Sequence, residues 1–282
     1  MSALIHRLPP HAYFMVSAVF HYLGPSFAVL LFASVGPLGV AWLRIATAAV
    51  FFAVWRRPWR LWSGSGRRTK MLIAALGVTL ALMNSTFYLA IDRLPLATVA
   101  AIEFVAVIGL ALAGVRTFRN VVALAVAVGG VFLLTGFQPS SDWLGLAFAI
   151  ANAILFAAYV VLGHAISRSS GAGGIGLLAA AMLVAMIVAF PIGLSELAPV
   201  LSFPILILAG IGVGVSSSVI PYVCDQLAMA RLPRATFALM LTLLPATAAV
   251  TGAVVLGQIP GSIDVAGVFL VAAGVGIHRP VE

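Results

Sequence analysis

The sequence predicts an all-α membrane protein with ten transmembrane helices, arranged as two inverted repeats of five helices. Three observations lead to this fold class. Hydrophobic residues make up 63% of the 282 residues and charged residues only 8%. The mean hydropathy is +1.20, and the apolar residues fall into ten long stretches. A twelve-residue segment occurs twice, once in each half of the chain.

The composition excludes a soluble protein. A soluble domain has about 25% charged residues, so this chain has too few to form a surface that water can solvate. Ten spans of about 20 residues account for most of its length and leave short loops. The ten-residue alternation typical of membrane barrel strands is absent from the sequence, so the spans are predicted to be helices. The single cysteine, Cys224, excludes an internal disulfide and is expected to pack in an apolar stretch.

The limits of the ten spans follow from the apolar stretches between charged or glycine- and proline-rich connections. The first follows only Arg7 and is too long for a cleaved signal peptide. In chain order the predicted spans are residues 12–32, 36–55, 70–90, 94–115, 119–136, 143–166, 174–194, 203–229, 233–256 and 261–278.

The basic residues predict the orientation. Thirteen of the fifteen fall at the chain termini and in the even-numbered connections, on one side of the predicted membrane. The other side has only Arg93, and Arg44 lies inside the second span. The positive-inside rule then places both termini in the cytoplasm. The net charge of +8 therefore comes from basic loop residues that orient the chain in the membrane, and no nucleic-acid partner is expected. Trp55, Trp59 and Trp62 form an interfacial cluster at the same end.

The duplicated segment predicts an internal repeat. Residues 89–100 read Leu-Ala-Ile-Asp-Arg-Leu-Pro-Leu-Ala-Thr-Val-Ala, and residues 227–238 agree with them at eight of twelve positions, at an offset of 138. Proline fits the first turn of a helix, so each copy predicts a helix end, a tight connection and a new helix. Five spans per half is an odd number, so the halves 1–138 and 139–282 lie inverted in the membrane. This plan is typical of secondary transporters, with a substrate site near the midplane.

Two charged residues are predicted at matching depth in the membrane. At 1.5 Å per residue, Arg44 lies about 12 Å and Glu103 about 14 Å from the outer end of its predicted span. Polar residues at such depth usually face the bundle interior or a wet cavity. Two interpretations stay open. The residues form a structural ion pair, or Glu103 binds a substrate ammonium while Arg44 holds Glu103 or binds the substrate carboxylate.

Three further spans carry polar or aromatic residues on one face at helical spacing. Span eight presents Ser218, Tyr222 and Asp225 or Gln226 on such a face, and Asn84 of span three corresponds to Tyr222 through the repeat. The serine and asparagine residues have an alternative role in helix–helix hydrogen bonding. The residues predicted to line a central substrate cavity are Asn84, Tyr88, Glu103, Asn152, Phe156, Tyr159 and Tyr222.

Helix-breaking and small residues within spans have predicted structural roles. Pro25, Pro221 and Pro245 each free a backbone carbonyl, and they either bend their helices statically or act as pivots for a gate. Gly210 and Gly214 match a Gly-x-x-x-Gly pattern, which predicts close helix packing more readily than a dimer interface.

Other patterns predict no cofactor, no metal site and no enzymatic activity. The segment 171–176 has dinucleotide-binding spacing but joins two membrane helices without a preceding strand. No phosphate-binding loop with a terminal lysine is present, and no nucleophile–base–acid set stands out. The histidines lie scattered toward the termini or the ends of spans and form no metal pair; they are His6, His11, His21, His164 and His278.

Several motifs resemble the drug/metabolite transporter superfamily, and most closely its EamA-type bacterial amino-acid exporters of the threonine/homoserine and aromatic amino-acid types. The resemblance implies ten helices, two inverted five-helix repeats, an inner-membrane location and export of amino acids or related metabolites. The matching residues of the first half are Asn84, Phe87-Tyr88-Leu89-Ala90, Pro95-Leu96 and Ala101-Ile102-Glu103-Phe104. Those of the second half are Pro221-Tyr222, Arg231-Leu232-Pro233, Thr236-Phe237, Leu239-Met240, Pro245-Ala246 and Leu256-Gly257.

The sequence differs from the threonine-exporter pattern in three places. Val107 replaces a proline, Leu244 replaces an acidic residue before Pro245, and Gln258 replaces an acidic residue. These differences predict a more apolar cavity, with room for larger apolar or aromatic substrates.

The patterns and the resemblance together predict a multi-pass carrier that exports amino acids across the bacterial inner membrane by alternating access. Amino acids and membrane lipid are its expected partners, and a monomer is compatible with the sequence. One alternative is a broad multidrug or metabolite exporter of the same fold. The others are a channel and an intramembrane enzyme, which would need an acid/base pair beyond Glu103 and Asp225.

Overall fold

The computed structural model describes residues 9–112, 117–135, 142–168, 174–232 and 243–277, together with Phe237, Met240 and Leu241. Their regular structure is helical, and these residues form no strand. The ten main helices are α1 Pro10–Val29, α2 Pro37–Arg56, α3 Arg67–Ile91, α4 Leu96–Leu112, α5 Phe118–Thr135, α6 Trp143–Ser167, α7 Gly174–Gly193, α8 Ile205–Met229, α9 Leu243–Leu256 and α10 Ser262–Ile277.

Each of the ten predicted ranges overlaps one of these helices. Six of them, α1, α2, α3, α6, α7 and α8, are long and apolar enough to cross a membrane, and the other four have shorter described apolar stretches. Some features predicted from the sequence lie outside the described residues: Arg7, Arg116, Arg234 and Arg279, His6 and His278, the segment 169–173 and the start of span nine at 233–236.

The outer faces of the helices are apolar. Large side chains such as Val54, Ile154 and Val254 are mostly exposed, at 77%, 64% and 80%. A soluble monomer rarely exposes contiguous apolar surface on this scale, whereas lipid tails are as apolar as leucine. The described helices therefore have the surface of a membrane-embedded bundle.

Turns at both ends of α2 use unusual backbone conformations. Gly36 has φ +84° and precedes Pro37 at the first helical position. A Cβ at Gly36 would lie 2.5 Å from Oε2 of Glu196, so this turn needs glycine for both conformation and space. At the other end Arg57 has φ 47°, and the chain then forms the short helix Pro58–Gly64.

The predicted tryptophan cluster at this end of α2 is seen only in part. Trp55 and Trp59 are exposed, as expected for side chains at a membrane interface. The side chain of Trp62 lies outside the described part of the structure.

Three pairs of helices, each five apart in chain order, run antiparallel. The start of α2 meets the end of α7, where the Gly39 N–H donates to Oε2 of Glu196 at 2.8 Å. The start of α4 meets the end of α9, where the Leu96 N–H donates to Oε1 of Gln258 at 3.2 Å. At the start of α5, Nε of Arg119 donates to the last carbonyl of α10 at 2.6 Å.

Glycines allow several of these helices to approach closely. A Cβ at Gly214 of α8 would lie 2.5 Å from Cβ of Thr47 in α2, and one at Gly210 would lie 3.1 Å from Leu43. The Gly-x-x-x-Gly pattern therefore packs within the chain, as predicted. In α5, a Cβ at Gly130 would lie 2.6 Å from a backbone oxygen of α10.

Substitution of Gly130 tests the α5–α10 contact. Gly130→Ala forces a methyl group against the α10 backbone, so we expect the free energy of unfolding to fall by about 1–3 kcal/mol. A Cβ at the neighbouring Gly129 would meet no described atom within 4 Å, and Gly129→Ala should leave stability unchanged or raise it by up to about 1 kcal/mol. Thermal unfolding of the detergent-purified variants measures both, and equal melting temperatures would contradict the packing.

Candidate functional site

A small polar pocket lies between six helices of the bundle. Its volume is about 10 Å³, which is room for about one water molecule. The pocket is therefore closed to anything larger in this conformation. It is lined by His21 of α1, Arg44 of α2, Met83, Asn84 and Phe87 of α3, Glu103 of α4, Asn152 of α6 and Tyr222 of α8.

Arg44 is buried, at 4% exposure, and is held by the backbone and a side chain of α8. Its Nε donates to Oγ of Ser218 at 2.8 Å, and its Nη2 donates to the carbonyl of Ser217 at 2.6 Å. The guanidinium carbon lies 5.2 Å from the ring centroid of Tyr88 in α3. Hydrogen bonds and a cation–π contact thus stabilise the buried charge.

The acceptor for Arg44 exists because α8 is irregular at this point. Residues Val215–Val219 form a π-helical turn, and Pro221 follows it. Proline has no N–H, so the Ser217 carbonyl loses the donor that an α-helix would supply four residues later. The Arg44 guanidinium takes that place. π-Helical turns are frequent at functional sites. Here the predicted loss of a backbone hydrogen bond at Pro221 makes the Ser217 carbonyl available to Arg44.

Glu103 is also buried, at 3% exposure. Tyr22 donates its hydroxyl to Oε2 at 2.7 Å, and Asn152 donates its amide to Oε1 at 2.6 Å. The predicted ion pair with Arg44 is not formed, although both side chains line the same pocket. The physical reason is that each charge is satisfied separately, Arg44 by acceptors of α8 and Glu103 by donors of α1 and α6.

Asn84 and Tyr222, which the duplicated segment relates to each other, contact each other in the pocket. Nδ2 of Asn84 donates to the hydroxyl oxygen of Tyr222 at 3.2 Å, and it also donates to the carbonyl of Leu80. The two residues are 138 positions apart, which is the offset of the duplicated segment.

A second polar cluster lies beside the pocket, around Asp225 of α8. Ser17 of α1 donates its hydroxyl to Oδ1 at 2.5 Å, and Tyr159 of α6 donates its hydroxyl to Oδ2 at 2.9 Å. The Tyr159 ring lies 5.5 Å from that of Tyr222. The two clusters therefore touch through a pair of tyrosine rings.

The structure brings together four of the seven predicted cavity residues. Tyr88 lies beneath Arg44 instead, Tyr159 binds Asp225, and Phe156 packs against the His21 ring at 5.8 Å. The four that line the pocket are Asn84, Glu103, Asn152 and Tyr222.

The polar residues of α1 were missed by the sequence reasoning. His21 was expected toward the end of a span, but it lies in the middle of α1 and lines the pocket. Tyr22 and Ser17 of the same helix bind the two buried carboxyl groups. The signal was present in the sequence, because Ser17 and His21, and Tyr22 and Ser26, are spaced four apart, as on one helix face.

The differences from the threonine-exporter pattern do not make this pocket apolar. Gln258, just after α9, accepts the N–H of Leu96 at the start of α4 and does not line this pocket. Leu244 is buried and does not line the pocket, and the side chain of Val107 lies outside the described residues.

The other predicted prolines lie next to packing contacts. Pro25 is inside α1, and a Cβ at the adjacent Gly24 would lie 2.5 Å from Cβ of Ser217. Next to Pro25, α1 therefore packs tightly against the π-helical turn of α8. Pro245 lies in the first turn of the described part of α9.

Polar contacts also join the two halves of the chain at one end of the bundle, which we call the acidic end because Asp92, Asp142, Glu196 and Asp264 lie there. Nη1 of Arg93 lies 2.9 Å from Oδ2 of Asp142. Oδ1 of Asp142 accepts the N–H of Gly145 at 2.9 Å and caps α6. The Gly145 N–H, followed by Arg93, lowers the pKa of Asp142, so the carboxylate stays ionised and the contact is lost only as pH falls through that lowered pKa.

Known proteins are similar to this chain in sequence and in fold. Residues 143–278 match the model of the EamA-like transporter family. The chain is 33% identical over 238 residues to the threonine/homoserine exporter RhtA of Escherichia coli K12 and to that of Salmonella typhimurium LT2, covering 83% of this chain and 79% of each relative. A crystal structure that is 17% identical has a TM-score of 0.62 and covers 94% of this chain and 96% of its own. That likeness concerns the fold alone.

Substitution of two buried tyrosines tests the hydrogen bonding of Glu103. Tyr22→Phe removes one of its two donors, so we expect the free energy of unfolding to fall by about 1–3 kcal/mol. Tyr88→Phe is the matched control, because the Tyr88 hydroxyl binds no carboxyl group: it lies beside the Arg44 guanidinium without a hydrogen bond of standard geometry among the described residues. A phenyl ring keeps the ring contact with Arg44. Thermal unfolding should rank Tyr22→Phe clearly below Tyr88→Phe, and the reverse order would refute the assignment.

Proposed function

The chain belongs to the EamA-like transporter family of the drug/metabolite transporter superfamily, and on that basis we propose that it exports amino acids across the bacterial inner membrane by alternating access. One observation carries the proposal. A buried arginine and a buried glutamate share a pocket without pairing with each other. A free amino acid carries the two complementary charges.

We assign a role to each charge in the pocket. Arg44 offers a planar set of donors, which suits a carboxylate, and Glu103 offers an acceptor for an ammonium group. The amides of Asn84 and Asn152 and the hydroxyl of Tyr222 lie around them. Because the pocket holds about one water molecule in this state, substrate binding requires the helices to separate.

The lining favours small hydroxylated amino acids such as threonine and homoserine, which are the substrates in the names of the relatives. Most lining side chains are polar, and the apolar ones are Met83 and Phe87. A large aromatic substrate would place its ring against the buried asparagine amides and leave Oδ1 of Asn152, which has no hydrogen-bond partner among the described residues, against an apolar surface at a cost.

Ten membrane spans in two inverted repeats agree with the contacts between the halves. Helices α2 and α7, α4 and α9, and α5 and α10 run antiparallel. The contact between Asn84 and Tyr222 lies at the repeat offset. The excess of basic residues at one end supports cytoplasmic termini and an acidic end that faces outward.

The polar contacts at the acidic end support a state that is closed toward the outside. The first half supplies Arg93 and the N–H groups at the starts of α2 and α4, and the second half supplies Asp142, Glu196 and Gln258. Each contact joins one half to the other. Opening this end requires these contacts to break, so they act as an outer gate.

Glu103→Gln tests the substrate site. The amide cannot attract an ammonium ion, so exchange of labelled threonine in proteoliposomes should fall about 30-fold or more, corresponding to about 2 kcal/mol. Asp92→Asn, at an exposed carboxylate just after α3, is the control and should exchange normally. Threonine amide, which lacks the carboxylate, should compete poorly in the wild type. Normal exchange by folded Glu103→Gln protein would overturn the assignment.

Glu196→Ala tests the outer gate. Loss of the acceptor for Gly39 should favour opening of the acidic end, so a cysteine introduced at Met83 should react faster with a membrane-impermeant thiol reagent added outside. The native Cys224 is replaced by serine in all variants. Asp264→Ala serves as the control, because Asp264 accepts the N–H of Gly261 three residues earlier. This contact lies within the second half of the chain. Equal labelling rates in both variants would refute the gate.

A further inference from the structure

The charges buried in the bundle do not balance. With histidine counted as neutral, including the buried His164 against the Phe237 ring, one cation and two carboxyl groups of the described residues are buried within the helices: Arg44, Glu103 and Asp225, at 4%, 3% and 4% exposure. Arg44 interacts electrostatically with Glu103 across the shared pocket. Since an amino acid brings one charge of each sign, its binding leaves the sum unchanged. One negative charge remains without a counter-charge, and the geometry leaves it on Asp225.

The groups that face Asp225 are uncharged. Ser17 approaches from α1 and Tyr159 from α6, and Tyr222 and Cys224 interact with it from its own helix. No described cation contacts it. Burial of an isolated carboxylate costs far more than burial of its protonated form. Serine and tyrosine hydroxyls can donate or accept hydrogen bonds, so the same partners serve Asp225 with and without a proton.

We propose that Asp225 binds the proton that enters in exchange for the exported amino acid, which makes the chain a proton-coupled antiporter. This inference rests on the proposed export function and adds its energy source. The step is a simple protonation, in which Oδ1 or Oδ2 gains a proton from the outer side and later releases it to the cytoplasm. No other bond changes.

The position of Asp225 fits this role. It lies four residues before the end of α8, or about 6 Å at 1.5 Å per residue, on the side predicted to face the cytoplasm. Its partner Tyr159 touches Tyr222, which binds Asn84 in the substrate pocket. A change in the charge of Asp225 therefore reaches the pocket through two side chains. Glu103, by contrast, has Arg44 as a nearby counter-charge and suits the substrate ammonium.

The experiment uses the full chain in proteoliposomes with labelled threonine. Threonine exchange at equal pH on both sides shows that a preparation is folded and binds substrate. The readout is the ratio of uptake with an acidic lumen to uptake without a gradient. One pH unit supports about tenfold accumulation for one proton. We therefore expect an uptake ratio of about ten in the wild type at one pH unit. The ratio should fall to about one in Asp225→Asn. It should stay at the wild-type value in Asp225→Glu and in the control Asp92→Asn.

A second measurement does not depend on transport. Threonine added to the detergent-purified protein in weak buffer should release about one proton per bound substrate in the wild type and none in Asp225→Asn. Gradient-driven uptake or proton release that persists in Asp225→Asn overturns the proposal, as does a wild type that exchanges threonine but ignores the gradient. A wild type that neither binds nor exchanges any amino acid contradicts the export function itself.

Discussion

The burial of Arg44 is the constraint on which the rest of the site depends. A guanidinium at membrane depth is costly unless its donors are satisfied, and α2 offers no acceptor for it. The acceptor comes from α8, where a π-helical turn and Pro221 leave the Ser217 carbonyl open to Arg44. The close approach of Gly214 to Thr47 brings the two helices together. An irregularity in one half of the chain thus stabilises a charge in the other.

The pocket lies where the two halves meet, and this explains its composition. Asn84 and Tyr222 lie 138 positions apart and contact each other, so both halves of the chain contribute to the site. The helices that carry them differ, because α8 contains the π-helical turn and α3 does not. The carbonyl left open at that turn holds Arg44 in the pocket, where Arg44 suits the carboxylate of the proposed substrate.

Each of the two buried carboxyl groups accepts a hydrogen bond from a tyrosine hydroxyl. Tyr22 of α1 binds Glu103, and Tyr159 of α6 binds Asp225. These two helices are the first of each half, so each half contributes one such tyrosine. The periodic spacing in the sequence was sufficient to select Asn84, Glu103, Asn152 and Tyr222 as neighbours in a cavity. It could not reveal that α1 supplies Ser17, His21 and Tyr22, because helical spacing shows which residues share a face and not which helix that face contacts.

The sequence by itself determined the helical fold, the approximate positions of the apolar helices and the transporter family, because these follow from composition, helical period and motifs along the chain. Only the tertiary structure decided the partners of the charges. Arg44 binds α8 instead of Glu103, and Gln258 caps α4 far along the chain instead of lining the cavity. These contacts join residues more than a hundred positions apart, and they depend on the rotation and tilt of packed helices, which apolar periodicity leaves undetermined.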